Sequence, residues 1–346
     1  MSVINIAVET KTFEHMLLLG FLGFVLSMLL TPIYTHFAYK YQWWKKARTL
    51  DATGAKATVF QQLHATKHRR HIPTAAGAIF VLSTLVVTLI FNLQRTQTWL
   101  PLAAMAGAGL IGFVDDMLNI HSKGGIAGMR AKLKMLLITT VALVGGWWFY
   151  AKLDFSSIHI PLMADPLHLG WLIVPLFVLV VVSTANAVNI TDGLDGLAGG
   201  LATTAFAVYA IIAFLEKQYG VAGFCLTIVG TLLSYTWFNI FPARFFMGDM
   251  GSFALGTALG VVAMLTDTVL ILPIIGLLFV VEAGSSALQM TSKKLRHGKK
   301  IFRIAPIHHH FEAIGWEETK VTMRFWIIGQ VMGVVGLFVF ILSKQL

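Results

Sequence analysis

Ten apolar segments constrain the fold of this chain more than any other feature. They cover residues 16–38, 75–93, 98–114, 133–151, 168–188, 197–215, 220–238, 252–266, 268–289 and 325–343. An α-helix needs about 20 apolar residues to cross the hydrocarbon core of a bilayer, and only helices and closed barrels satisfy their backbone hydrogen bonds there. The longest polar stretches, 39–74 and 290–324, are loop-sized. The sequence therefore predicts an all-α polytopic membrane protein with about ten transmembrane helices, forming a single domain over residues 1–346.

Composition and charge agree with this class. Hydrophobic residues make up 57% of the chain and charged residues only 12%, whereas an average soluble domain carries about 25% charge. The net charge of +10 would suggest nucleic acid in a soluble protein. Here the basic residues fall in loops between the apolar segments, so topology and attraction to anionic lipid headgroups explain most of them, and no nucleic-acid partner is expected.

The distribution of basic residues predicts the orientation of the helices. Most of the 26 Lys and Arg residues fall in 39–74, 115–134, 239–251 and 290–324, which lie on one side if there are ten spans. The other side holds Lys11, Arg95, Lys152, Lys217 and Lys344. Because positive charge marks the cytoplasmic side, both termini are expected to face outward, into the periplasm.

Acidic residues cluster in three places on the predicted cytoplasmic side. Asp115 and Asp116 end the third span, Asp192 and Asp195 lie between spans five and six, and Asp249 lies between spans seven and eight. Each cluster alone could be structural: a solvated helix end, a glycine-rich turn or a helix N-cap. Three such clusters on one side of a membrane protein favour a functional site.

Spacing and charge indicate what that site could bind. Asn119 follows Asp115 and Asp116 at helical spacings that place all three on one face, and Asp192 and Asp195 would share a face if their segment were helical. Adjacent carboxylates repel each other until a cation or a proton relieves them. Mg²⁺ prefers oxygen ligands and takes one or two carboxylates together with phosphate oxygens, so such a site suits pyrophosphate chemistry.

The run His308, His309 and His310 follows Arg303 and Pro306. Consecutive histidines do not have the spacing of a zinc site. Two interpretations stay open from the residues alone: a loop at the membrane surface, or a group that receives a phosphate or a sugar beside Lys299, Lys300 and Arg303.

Four motifs resemble one family. They are Asp115-Asp116-Met117-Leu118-Asn119, the segment from Asn186 through Asn189, Asp192 and Asp195 to Ala198, Met247-Gly248-Asp249-Met250-Gly251-Ser252, and Ala305-Pro306-Ile307-His308-His309-His310-Phe311-Glu312. From about residue 108 onward the chain resembles the phospho-N-acetylmuramoyl-pentapeptide transferases, within the superfamily of polyprenyl-phosphate N-acetylhexosamine-1-phosphate transferases. The superfamily shares the acidic motifs, and the triple histidine is typical of the muramoyl-pentapeptide branch.

This resemblance implies a reaction, a location and a cofactor. UDP-MurNAc-pentapeptide and undecaprenyl phosphate would give lipid I and UMP with Mg²⁺, in the bacterial cytoplasmic (inner) membrane, with the active-site cleft on the cytoplasmic face. It also implies ten spans with both termini outside. The oligomeric state stays open, a homodimer included.

The resemblance also implies site residues. By position, Asp115 and Asp116 match the pair near the lipid phosphate, and Asp249 matches the metal-binding carboxylate, so that Asp249, Asp115 and Asp116 are the expected metal ligands. The expected nucleotide-sugar pocket, with Phe246 stacking on uracil, consists of Asn186, Asn189, Asp192, Asp195, Asn239 and Phe246. Near the pyrophosphate, the sugar and the phosphates we expect Asn119, Lys123, Lys132, His308, His309 and His310. The first loop departs from the family pattern at 72–77, which leaves open whether Lys67, Arg69 or Arg70 contacts substrate.

The expected mechanism is a single displacement, in which an Asp of the 115/116 pair positions or deprotonates the lipid phosphate for attack on the β-phosphorus of the donor. Two alternatives remain. One is a related N-acetylglucosamine-1-phosphate transferase, which the triple histidine argues against. The other is a transporter, whose acids should lie near the bilayer midplane. Only Glu282 lies well inside a span, and a structural hydrogen-bonding role is the favoured interpretation of it.

Overall fold

The computed structural model describes residues 3–44, 71–122, 128–163 and 165–345. Within these residues the helices are α1 (Val3–Lys40), α2 (Gly77–Phe91), α3 (Trp99–His121), α4 (Ala131–Leu153), α5 (Ile173–Thr191), α6 (Leu197–Leu215), α7 (Tyr219–Asn239), α8 (Gly248–Leu265), α9 (Leu272–Ile275), α10 (Leu277–Leu295), α11 (Ile307–Ala313) and α12 (Glu318–Ser343). A two-stranded antiparallel hairpin, β1 (Ser157–Ile158) and β2 (Leu167–His168), and a short 3₁₀ turn lie between α4 and α5.

Every predicted span overlaps a helix, and eight helices in the described part of the chain are long and apolar enough to cross a membrane. The other two predicted spans differ from this pattern. Helix α2 is only 15 residues long, and the ninth span is divided at Gly276 into the short α9 and the more polar α10. The chain is thus a mostly helical, multi-pass membrane protein, while the count of ten stays a prediction.

Two local expectations are corrected by the helix boundaries. The third predicted span ends at residue 114, but α3 continues to His121, so Asp115 and Asp116 lie inside the helix rather than at its end. Helix α5 ends at Thr191, and the segment that carries Asp192 and Asp195 is a turn. Its glycines favour the turn, and Gly196 has a positive φ of 77°. The condition for a shared helical face of Asp192 and Asp195, a helical segment, is therefore not met, and the glycine-rich turn is the structure observed.

Helix α8 is the centre of the bundle, and nearly every residue of it is buried. It packs against α3, α5 and α2. The approach is close because small residues face each other: a Cβ on Gly112 of α3 would lie 2.2 Å from the carbonyl oxygen of Asp249, and one on Gly77 of α2 would lie 2.3 Å from the backbone nitrogen of Gly251. These contacts fix the start of α8 against the end of α3.

The outer helices present large apolar side chains outward. Trp237 of α7 is 71% exposed, and Leu136 of α4 and Val334 of α12 are similarly exposed. Contiguous exposed apolar surface of this kind marks an interaction surface in a soluble protein. On a bundle of apolar helices it is the surface expected to face lipid.

Candidate active site

Three polar side chains share one face near the end of α3. Asp115, Asp116 and Asn119 are all buried. The amide nitrogen of Asn119 donates to a carboxylate oxygen of Asp115 at 3.0 Å and to the Asp115 carbonyl at 2.9 Å. The shared face predicted from their spacing is confirmed. Buried carboxylates require partners, and these come from two other parts of the chain.

Lys134, in the first turn of α4, lies between two of the acidic motifs. Its ammonium donates to Asp115 at 2.8 Å and to Asp249 at 2.5 Å. The backbone N–H of Met129 donates to the second oxygen of Asp115 at 2.5 Å. In the sequence, Lys134 is one of several basic residues in 115–134, and no motif distinguishes it from the others. Lys132, a predicted substrate contact, is exposed, and Lys123 lies outside the described residues.

Asp116 holds the start of α8. One of its carboxylate oxygens accepts from the backbone N–H of Met250 at 3.1 Å. Gly248 has a positive φ of 72°, and a Cβ there would lie 2.4 Å from the same oxygen. The glycine before Asp249 is therefore required both by backbone conformation and by space. Asp249 lies within the first turn of α8, and the expectation that it could act as the N-cap is wrong because Met247 holds that position.

The second acidic motif reaches the same end of the bundle through α5. Asn189 donates to the hydroxyl of Ser252 at 2.8 Å, and Ser252 donates to the carbonyl of Gly248 at 3.0 Å. This connects α5 to the turn that carries Asp249. Asn186, one turn earlier, donates to the Val182 carbonyl at 2.7 Å within α5.

Asp192 and Asp195 differ in their surroundings. Asp192 is half-buried at the end of α5. Asp195 is buried, and its carboxylate accepts from the backbone N–H of Ala243 at 2.9 Å. Asn239 is also buried: its amide accepts from Gly196 at 3.0 Å and donates to the Phe245 carbonyl at 2.8 Å. Asp195 and Asn239 therefore hold the loop after α7 in place.

Phe246 is half-buried in this loop. Its backbone N–H donates to the Pro73 carbonyl at 2.8 Å, and its carbonyl accepts from Ala76 at 3.0 Å. The loop thus pairs with the chain just before α2. Lys67, Arg69 and Arg70 precede this stretch and lie outside the described residues.

The three histidines begin α11, and two of them are buried. The Nδ1 atom of His308 lies 2.8 Å from Glu282 on α10, and both side chains are almost completely inaccessible. The other ring nitrogen of His308 points at Gly193 of the second acidic motif, where a Cβ would lie only 2.2 Å from it. The histidine run and the Asp192 turn are therefore in direct contact.

His309 and His310 have different partners. The Nδ1 atom of His309 lies 2.6 Å from Glu312. Burial lowers the pKa of His309 to about 4, with a further decrease from neighbouring His308, although Glu312 opposes it. His309 is therefore neutral at pH 7. His310 is half-buried and accepts a hydrogen bond from the backbone N–H of Arg303 at 3.1 Å.

The carboxylates around Lys134 have the chemistry of a magnesium site. The described residues contain no group of three His, Cys, Asp or Glu side chains arranged to hold a metal ion. Asp115 and Asp249 nevertheless place two carboxylate oxygens around one ammonium group, and Asp116 is adjacent. Oxygen donors that already gather about a cation match the ligands that Mg²⁺ prefers. The residues fit the ion.

Comparison with known proteins identifies the family. Residues 98–267 match the model of glycosyl transferase family 4. A phospho-N-acetylmuramoyl-pentapeptide-transferase of Geobacillus sp. (strain WCH70) is 36% identical over 331 residues, covering 94% of this chain and 98% of that protein. This chain belongs to the phospho-N-acetylmuramoyl-pentapeptide-transferase family.

Two further members of the family show how far the similarity extends. One from Chloroflexus aurantiacus is 36% identical, covering 97% of this chain and 92% of its own length. One from Syntrophus aciditrophicus is 42% identical, covering 77% of this chain and 79% of its own length. The match to glycosyl transferase family 4 contains the three acidic motifs but ends before Glu282 and the histidines. The similarity to the phospho-N-acetylmuramoyl-pentapeptide-transferases extends over both.

Proposed function

We propose that this chain transfers phospho-MurNAc-pentapeptide from UDP-MurNAc-pentapeptide to undecaprenyl phosphate, giving lipid I and UMP in the first membrane step of peptidoglycan synthesis. The observation that carries the proposal is the junction of Asp115, Asp116, Asp249 and Lys134, in a chain whose relatives are transferases of this name. Three carboxylates and one ammonium suit a reaction that brings a phosphate and a pyrophosphate together.

In the proposed mechanism, an Asp of the 115/116 pair positions or deprotonates the lipid phosphate. A phosphate oxygen of the lipid then forms a bond to the β-phosphorus of the donor, and the bond from that phosphorus to the bridging oxygen breaks, so that UMP departs with the electron pair. Holding both reactants in line makes the step effectively unimolecular. Asp249, Asp115 and Asp116 would hold Mg²⁺, which when bound neutralises charge on phosphate oxygens.

Lys134 supplies a fixed positive charge at the same place. Its side chain is 18% exposed, and the side chains of its two acidic partners are 3% and 16% exposed, so water screens the site only weakly. A cation preorganised in such surroundings acts strongly on charge that moves during the reaction. Lys134 is therefore placed to orient Asp115 and Asp249 and to offset the repulsion between them.

The pocket for the donor nucleotide sugar is proposed between the turn that carries Asp192 and Asp195 and the three histidines of α11. Asn186, Asn189, Asp192 and Phe246 are half-buried, which leaves part of each side chain for the nucleotide sugar. Asp195 and Asn239 shape the pocket through their loop hydrogen bonds. Asn119, beside Asp115, and the exposed Lys132 are further proposed contacts, as is Lys123, which lies outside the described residues. The three histidines are proposed to border the sugar and the phosphates.

The proposed setting is the bacterial inner membrane, with ten spans, both termini in the periplasm and the site on the cytoplasmic face. All three acidic motifs lie at one end of the bundle, which supports a single cleft at one membrane surface. A soluble donor would enter it from water, while the lipid acceptor stays in the bilayer. A homodimer is compatible with this arrangement.

The test is turnover by the purified chain with UDP-MurNAc-pentapeptide, undecaprenyl phosphate and Mg²⁺, assayed by UMP release and by the lipid-linked product. UDP-N-acetylglucosamine serves as the competing donor. Preference for the muramoyl donor supports the proposal, whereas preference for UDP-N-acetylglucosamine would assign the chain to the related transferase. Substrate flux into proteoliposomes without any UMP release would indicate a transporter.

A second experiment tests the single displacement. Rapid quench during the first turnover with donor labelled in its β-phosphate should show no protein-bound label. A phosphoryl group on Asp249 that forms and decays at the catalytic rate would instead establish a covalent route.

A further inference from the structure

A basic cavity lies at the C-terminal end of α1, and its lining includes no residue of the acidic cluster of Asp115, Asp116 and Asp249. Its volume is about 670 Å³, and it is lined by Pro32, Thr35, His36, Tyr39, Lys40 and Arg244. Tyr34 and Phe245, which precede Thr35 and follow Arg244 in sequence, are buried and pack edge to face. Arg244 points outward from the same loop in which Phe245 points inward.

Three basic side chains line this cavity, and none of them pairs with an acidic side chain in the part of the chain that the structure describes. His36, Lys40 and Arg244 are exposed, and among the described residues their charged groups contact only aromatic rings: Lys40 lies over Tyr41, Arg244 lies over Phe238, and His36 packs edge to face on Phe37. The C-terminal end of a helix carries a partial negative charge, and one lysine in the last turn of α1 would offset it. Three basic groups around one open cavity exceed what the helix end requires and are suited to an anion.

Exposed apolar side chains beside the cavity favour a membrane lipid over a soluble anion as its ligand. Leu29, Ile33 and Phe37 form an exposed apolar stripe along α1 that leads to the cavity, and Leu233 and Trp237 form another on α7. The two helices pack side by side, with Gly230 of α7 against the backbone of Gly20 in α1. Tyr39 and Tyr41 are also exposed, and aromatic side chains of this kind are enriched at membrane–water interfaces.

We propose that the cavity binds the phosphate headgroup of an anionic diacyl phospholipid, whose acyl chains lie along the apolar stripes of α1 and α7. Lys40 and Arg244 pair with the phosphate, and the ring N–H of His36 and the hydroxyl groups of Thr35 and Tyr39 are available as hydrogen-bond donors. Basic pockets between transmembrane helices at the cytoplasmic surface bind such headgroups in other membrane proteins. The inference does not depend on the proposed transfer reaction.

The test is native mass spectrometry of the full chain in detergent that contains equal amounts of phosphatidylglycerol and phosphatidylcholine. The wild-type chain should retain one phosphatidylglycerol in preference to phosphatidylcholine. The triple variant His36→Gln/Lys40→Gln/Arg244→Gln should bind it about 25-fold more weakly, since each lysine or arginine near anionic lipid contributes about a fivefold increase in affinity. The single variant Arg244→Gln should lose about fivefold.

The matched control is His168→Gln/Lys217→Gln/Arg95→Gln, which removes one histidine, one lysine and one arginine from exposed positions elsewhere in the chain. Equal loss of phosphatidylglycerol in both triple variants would overturn the proposal, as would a wild-type chain without preference between the two lipids. Displacement of phosphatidylglycerol by millimolar inorganic phosphate would assign the cavity to a soluble anion. Displacement by equimolar undecaprenyl phosphate would assign it to the acceptor lipid.

Discussion

Replacing Lys134 by methionine is the sharpest test of the acidic cluster. The substitution keeps the length of the side chain but removes the ammonium that Asp115 and Asp249 share at 2.8 and 2.5 Å. The two acids would then face each other without the cation that separates them.

The magnitude follows from the burial of the three groups. Removing one partner of a buried ion pair costs about 3–5 kcal/mol because a charge is left without compensation. Lys134 is 18% exposed and Asp249 is 16% exposed, so water recovers part of that energy and the lower limit applies. Removing one preorganised electrostatic group also costs the transition state about 3 kcal/mol, which corresponds to a decrease of about 150-fold in kcat.

The assay is UMP release at saturating substrates and Mg²⁺, with the melting temperature measured in the same detergent. Lys134→Arg keeps the charge and should retain more activity than Lys134→Met. Lys152→Met, at the other end of the same helix, is the control, since Lys152 is exposed and lies over the ring of Trp147. A folded Lys134→Met chain that turns over within fivefold of the wild-type rate would refute the electrostatic role of Lys134.

Three further outcomes are expected. Asp249→Asn should stay folded but lose UMP release, and Mg²⁺ should raise its melting temperature less than that of the wild type; an equal rise would exclude Asp249 as a ligand. Gly193→Ala should lower turnover about tenfold or more by overpacking, because its methyl group would lie 2.2 Å from His308, which Glu282 holds; Gly284→Ala, with no atom within 4 Å of its Cβ, is the control. The pKa of His309 is lowered to about 4, so the folded state favours the neutral ring. The contribution of His309 to the free energy of unfolding is therefore complete above pH 6.5 and is lost as the pH decreases towards 4. Between pH 7 and pH 5 the wild type should lose about 2 kcal/mol more than His309→Gln, and parallel pH curves from thermal melting would contradict this.

Apolar periodicity and local spacing predicted much of the structure. Each apolar segment overlaps helical structure, the ninth divided at Gly276 into α9 and α10, because a chain in lipid must satisfy its backbone hydrogen bonds internally. The pairing of Asn119 with Asp115 followed from the i,i+4 spacing alone. The hydrogen-bonding role favoured for Glu282 agrees with its contact to His308. These features depend on neighbours in sequence or on burial in a helix.

The remaining features depend on contacts between distant segments. Lys132 and Lys134 are two residues apart and therefore lie on different faces of α4, so spacing shows that only one can face Asp115 but does not say which. The contact between Gly193 and His308 joins residues more than a hundred positions apart. The turn at Asp192 was open to a helical interpretation because its glycines are compatible with either structure until Gly196 is seen at positive φ.

The glycine contacts around α8 have a consequence for how the protein responds to its bilayer. Gly112 and Gly77 bring main chain against main chain beside Asp249, so no flexible side chain separates these helices. A change in hydrocarbon thickness acts first on the helices that touch lipid, which can tilt to accommodate it. The spacing between Asp115 and Asp249 is insulated from that adjustment. The geometry proposed for catalysis should thus be the same in thin detergent micelles as in a thick membrane.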